Sequence, residues 1–284
     1  MTVTKDHFIL RADDLLTATR DFEALGFIVT QGSDAGEGYN ALIIFPDDSY
    51  LEIVAYKPWF RLKVWGWLCR RGLVRRCGRG DRAFMARLWN NWVPRHREGW
   101  LDWCVKVSSA EAFAETARDK GLDVSDMIHS RRLADGVEVR WRIGGGIELD
   151  APFFLEDVTP RTVRLPKRLD RRHPNGVTGV AAARFGVTDL AASVALHATL
   201  LGARPSNENR EEAVFDLPGF TLTLEKATAD DPTEGLREVT LTSPNVSSAE
   251  TLDLTLSHGA RIVVAPSESP DKRLRITIES PPSI

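Results

Sequence analysis

Apolar residues follow two rhythms along the chain, and the order of those rhythms repeats. An apolar stretch at 7–10 precedes Leu15, Ala18, Phe22 and Leu25, whose three- and four-residue steps mark one face of a helix. Gly26 stands where such a helix ends. Residues 27–30, 41–45 and 50–55 then read as strands, with Asp47-Asp48 turning between the last two. The predicted order is β-α-β-β-β. It recurs over 101–158, with a strand at 103–107, a helix at 110–120 closed by Gly121, and strands at 137–143 and 153–158 around Gly144-Gly145-Gly146. It recurs again over 178–227, as a strand at 180–187, a helix at 190–201, Gly202, and strands at 213–216 and 221–226. A shorter copy spans 236–279, with a strand at 239–242, a helix at 247–257, Gly259, and strands at 262–265 and 274–278.

One such unit cannot cover its own sheet. Two side by side make a longer curved sheet with helices outside and a cleft inside. The sequence thus predicts an α+β fold of tandem βαβββ modules in two pairs, 1–158 and 176–284. Residues 159–175, with three prolines and six Lys or Arg, read as a linker.

Charge changes this picture at one place. The net charge is −3 over 284 residues, yet residues 57–99 hold twelve Lys or Arg against two acids, a net +10. Five of the eight tryptophans fall there too: Trp59, Trp65, Trp67, Trp89 and Trp92. This is a helical, Trp/Arg-rich insertion in the first pair. Phe84, Met85, Leu88, Trp89 and Trp92 lie at helical spacing. Packing as a lid is one reading, with Trp89 and Trp92 walling off an apolar ligand. Peripheral membrane contact through 57–99 is the other. The balanced total charge argues against a nucleic-acid partner, and no apolar run of about 18 residues suits a membrane-spanning helix. Three cysteines and a start without an apolar core lead us to expect a cytoplasmic protein.

The chain resembles the vicinal oxygen chelate superfamily, and within it the glyoxalase-like domain family. The resemblance rests on Asp6-His7-Phe8-Ile9-Leu10 with Asp14-Leu15, Leu25-Gly26-Phe27, Tyr50-Leu51-Glu52-Ile53, Pro152-Phe153-Phe154-Leu155-Glu156 and His173-Pro174-Asn175-Gly176. It implies paired modules around a cleft that often holds a divalent metal, bound from the first and last strands of each module. His7 and Glu52 match those positions in the first module, and Glu156 stands for Glu52 in the second. Counting back from the helix-end glycines sets Asp102 opposite His7, since each lies 19 residues before its glycine. A one-residue shift would set Trp103 there. The expected metal ligands are therefore His7, Glu52 and Glu156, around Mn, Mg, Fe or Zn, with Asp102 as general base. Trp89, Trp92 and Trp103 are the expected ligand-binding aromatics.

The activity implied is that of a metal-dependent lyase, isomerase or dioxygenase acting on a small molecule with vicinal oxygens. The alternative is a non-catalytic protein that sequesters a small molecule, of the glyoxalase/bleomycin-resistance type. The third module offers Ala182 or Ala183 at the His7 position and Glu225 at the Glu52 position. The second pair therefore reads as a structural half or a homodimer contact.

Overall fold

The computed structural model describes residues 2–32, 38–56, 64, 67–68, 83–92, 97–132, 136–147, 149, 151–165, 171–229, 231 and 234–267. Most of the 57–99 excursion, with Cys69 and Cys77, lies outside the described residues, as does the strand expected at 274–278.

The first module runs β1 (Val3–Arg11), α1 (Leu15–Ala24), β2 (Thr30–Gln31), β3 (Gly38–Ile44) and β4 (Tyr50–Tyr56). Within the excursion follows α2 (Ala83–Arg87), continued by the π-helical turn Leu88–Trp92. The second module has β5 (Gly99–Val107), α3 (Ala110–Asp119), β6 (Ser125–Arg132), β7 (Glu138–Gly145) and β8 (Phe153–Asp157), and then comes the short α4 (Arg161–Arg164). The third has β9 (Gly179–Val187), α5 (Leu190–Leu201), β10 (Asn207–Glu208), β11 (Glu212–Leu217) and β12 (Phe220–Lys226). The fourth has β13 (Gly235–Ser243), β14 (Glu250–Thr251) and β15 (Arg261–Pro266).

Each helix starts and stops by local chemistry. Asp14, Ser109 and Asp189 accept the backbone N–H of the third residue on, capping α1, α3 and α5. Gly26, Gly121 and Gly202 follow at positive φ, which a side chain would strain.

Two predicted elements need correction. The fourth module has no helix at 247–257; Asp253 Oδ1 instead accepts the N–H of Thr255 at 2.7 Å and of Leu256 at 3.2 Å. That side-chain turn takes the donors a helix would need. The second module also gains a strand, β6, whose sequence Ser-Asp-Met-Ile-His-Ser-Arg-Arg carries little apolar signal. An edge strand has one neighbour, and β6 is polar for that reason.

The strand orders are β2-β3-β4-β1-β5-β8-β7-β6 and β10-β11-β12-β9-β13-β15-β14. In each sheet the two first strands of a pair run antiparallel at the centre, and each lies parallel to the last strand of its own module. This is the paired-module arrangement the repeat predicts. The two sheets share one core. Phe8 of β1 packs on Phe220 of β12 at 5.8 Å, and Trp103 of β5 on Phe185 of β9 at 4.9 Å. Alternation along the central strands then turns Ile9, Leu101, Phe153 and Leu155 to the opposite face of the first sheet, where they meet Phe84 of α2.

The 159–175 segment is built into the first half where it is described. Arg161 and Arg164 pair with Asp6 and Asp157. His173 is buried between Phe27 and Phe45, its Nδ1 accepting the Ile28 N–H at 2.9 Å.

Candidate ligand-binding site

The face that turns away from the shared core holds a cavity of about 290 Å³. Its walls are Ile9, Leu42, Trp141, Ile143, Phe153 and Leu155 from the strands, and its roof is Phe84, Leu88 and Trp92 of the excursion. His7, Asn40, Glu52, His129, Arg131 and Arg164 supply the polar groups. The volume sits at the small end of ligand cavities, which run roughly 300–1,000 Å³.

His7 is placed by a β-bulge. Lys5 pairs with Val105 and His7 with Cys104, so Asp6 is an extra residue in β1. The bulge brings the Asp6 carboxylate beside the imidazole of its own neighbour, 2.7 Å from His7 Nδ1. His7 stacks on Tyr50 at 4.5 Å and meets Phe153 edge-on at 5.3 Å. Its Nε2 lies 3.4 Å from Glu52 Oε2, while Glu52 Oε1 accepts from Asn40 Nδ2 at 2.6 Å.

Asp6 is wholly buried. Burial alone would raise its carboxyl, but the His7 hydrogen bond, then Arg164 and Arg161, overcome that and hold it far below the usual carboxylate range. Asp6 is therefore an anion that only accepts, so the His7 proton sits on Nδ1. Arg164 also donates to Asp157 Oδ1 at 2.5 Å and to Tyr50 Oη at 3.0 Å.

The expected ligands do not converge. His7 and Glu52 come together, but Asp102 and Glu156 do not join them. Asp102 lies beneath the excursion, where Arg87 donates to both its oxygens at 2.7 and 2.5 Å and Trp92 Nε1 donates at 2.6 Å. Trp103 N–H takes the remaining position at 2.8 Å. Those bonds fasten the roof to β5 and leave no lone pair for a base. Glu156 faces the other side of β8 and accepts the Ala110 N–H at 2.8 Å, at the start of α3. Trp92 lines the cavity, Trp89 is 41% exposed, and Trp103 is buried in the shared core.

The pairing register explains the slip. His7 pairs with Tyr50 and Cys104, and Cys104 pairs with Phe153. The pseudo-twofold counterparts of His7, Tyr50 and Glu52 are thus Cys104, Phe153 and Leu155. Helices α1 and α3 are both ten residues long, but His7 precedes its cap Asp14 by seven positions and Cys104 precedes Ser109 by five. Counting back from the glycine therefore overshoots to Asp102.

Asp6, His7 and Cys104 each bring a donor atom within 4.8 Å of the others. As a metal set they fit poorly. The carboxylate is held by two guanidinium groups and an imidazole, and burial pushes the Cys104 thiol well up, keeping its proton. Toward the cavity, His7 Nε2 and Glu52 stand together with no third carboxylate, imidazole or thiol grouped with them among the described residues, where a catalytic metal centre draws three from protein. The described residues thus do not make a resident catalytic metal centre.

Residues 6–201, more than half of the chain, match the profile of a family described as glyoxalase-like domain. The chain belongs to the glyoxalase-like domain family. No curated protein matches it significantly. Among solved structures, a hypothetical protein from Staphylococcus aureus superposes with a TM-score of 0.70 at 15% identity, covering 93% of this chain and 100% of its own. A triple mutant of 4-hydroxymandelate synthase from Streptomyces coelicolor gives 0.52 at 12% identity, covering 85% of this chain and 71% of its own. These likenesses show the vicinal oxygen chelate fold.

Sequence reasoning passed over Asp6, Arg164, His129, Arg131 and Trp141 as site residues. Trp141, on the strand expected at 137–143, stacks at 5.7 Å on His129 of β6, the strand that the pattern did not show. Arg164 lay in the supposed linker.

Two tests follow from this geometry. Asp102→Ala leaves Arg87 charged and buried without its partner, and its urea midpoint should report a loss of about 3–5 kcal/mol; unchanged stability would contradict the anchoring role. Asp6 has a depressed folded value, so its contribution is complete above its unfolded pKa, about 3.9, and fades as pH falls below it. Melting curves of the native protein should lose this increment only below about pH 4, while Asp6→Asn should show a lower, flatter profile there.

Proposed function

We propose that the chain binds a small, mostly apolar molecule with a polar end in this cavity, and that His7 moves a proton on it without a resident metal. The observation that carries this reading is the Asp6–His7 pair beside Glu52 at the foot of an apolar, roofed cavity. Asp6 fixes the Nδ1–H tautomer and the ring orientation. That leaves the Nε2 lone pair beside Glu52 as the acceptor. Tyr50 and Phe153 hold the ring by stacking and edge contact. Phe84, Leu88 and Trp92 cover the site and keep water from competing for the proton. The reaction class this supports is proton abstraction next to a carbonyl, the core of an isomerase or lyase. Substrates with neighbouring oxygens suit it, because enolisation between them needs one base placed near one C–H.

Deuterium exchange tests the proposal directly. With 2-hydroxyacetophenone in D₂O, the native protein should wash deuterium into the carbon next to the carbonyl. His7→Gln should slow this by about 10²–10⁴-fold, the usual contribution of a positioned base. Exchange no faster with the native protein than with His7→Gln, while the compound still binds, would leave a sequestering protein and remove the catalytic reading.

A further inference from the structure

The cavity's cations differ in one respect. Arg164 is saturated by Asp157, Asp6 and Tyr50. Arg131, on β6, has no carboxylate partner among the described residues. Its Nη2 donates to the Arg164 carbonyl at 3.2 Å, which steers the guanidinium across to α4, and its Nε is buried without a partner. A guanidinium that lines the cavity without a carboxylate partner suits a planar two-oxygen anion.

Position strengthens the argument. In the sheet order four strands, β1, β5, β8 and β7, separate Arg131 on β6 from Glu52 on β4. Both still line one cavity, so the sheet's curl sets them on opposing walls. Between them lie Trp141, Ile143, Phe153 and Leu155, with Trp92 above. His129, two residues before Arg131, stacks on Trp141, and burial lowers its pKa, so it adds little charge at neutral pH. The cavity thus has an apolar, aromatic middle, an anion-binding end at Arg131 and a proton-handling end at His7 and Glu52.

We infer that the ligand is an aryl or similarly flat apolar carboxylate, its carboxylate on Arg131 and its other polar end at His7. This rests on the cavity being the ligand site, as proposed above, and adds the substrate class. The carboxylate supplies the anionic partner that the Arg131 guanidinium lacks among the described residues. An uncharged ligand of the same shape would leave it without one.

The test uses the full chain and a matched series: benzoate, 3-phenylpropanoate and 5-phenylpentanoate, each against its primary amide, with binding followed by calorimetry and tryptophan fluorescence. At least one acid should bind more tightly than its amide by about tenfold or more, the scale of a charge-assisted pair. Arg131→Gln should erase that preference, so that each acid binds no better than its amide, with a cooperative melting curve showing that the variant is folded; Arg131→Lys should restore only part of it. Equal binding of acid and amide, displaced by a Trp92 substitution, would keep the cavity as a ligand site and discard carboxylate recognition alone. A preference that survives Arg131→Gln would overturn the assignment of Arg131. Failure of every acid and amide to bind the folded protein would overturn both this inference and the cavity reading.

Discussion

The site depends on one buried anion. Asp6 lies wholly out of water and would be too costly there alone. Three groups from two places in the chain compensate it: His7 beside it in β1, and Arg161 and Arg164 from α4. The same set orders the neighbourhood. Arg164 reaches on to Tyr50 and Asp157, Tyr50 supports the His7 ring, and α4 is drawn against the first sheet. A single β-bulge makes this geometry, because an unbulged strand would send Asp6 and His7 to opposite faces.

Much of the fold was legible in the sequence. Apolar steps of three and four with closing glycines located α1, α3 and α5, and the repeat gave the paired modules. The fourth helix failed because Asp253 offered its backbone a competing turn. The candidate site was half legible. His7 and Glu52 were found because module one follows the family pattern closely. Glu156 was misplaced because Phe153-Phe154-Leu155 is apolar on both faces of β8, so no alternation showed which residue faced the cavity. Asp102 was misplaced by a connection two residues shorter than its counterpart. Arg131 and His129 gave no signal, since the polar edge strand that carries them looks like a loop.

The two halves divide their work unequally. The first sheet keeps a cavity on the face turned away from the shared core. On the second, Glu225, the residue matched to Glu52, is held by Arg184 and by Arg237 at 3.2 Å. Ion pairs thus occupy Glu225, and the apolar face of that sheet completes the core shared with Trp103 and Phe8. The excursion serves the first half as well, since the Arg87–Asp102 pair and the Trp92 hydrogen bond fix its helix over the cavity. Asp102 thus has a positional role, as do the arginines of 159–175.

The central claim is that Asp6 sets the tautomer of His7 and leaves Nε2 bare toward the cavity. Nitrogen NMR of protein labelled with ¹⁵N-histidine reads this directly, with His7→Gln assigning the signal. At neutral pH the account predicts a proton coupled to Nδ1 and an unprotonated Nε2 whose resonance moves when a cavity ligand is added. A proton on Nε2 with a bare Nδ1, or an Nε2 signal already shifted by a metal that chelation removes, would contradict it.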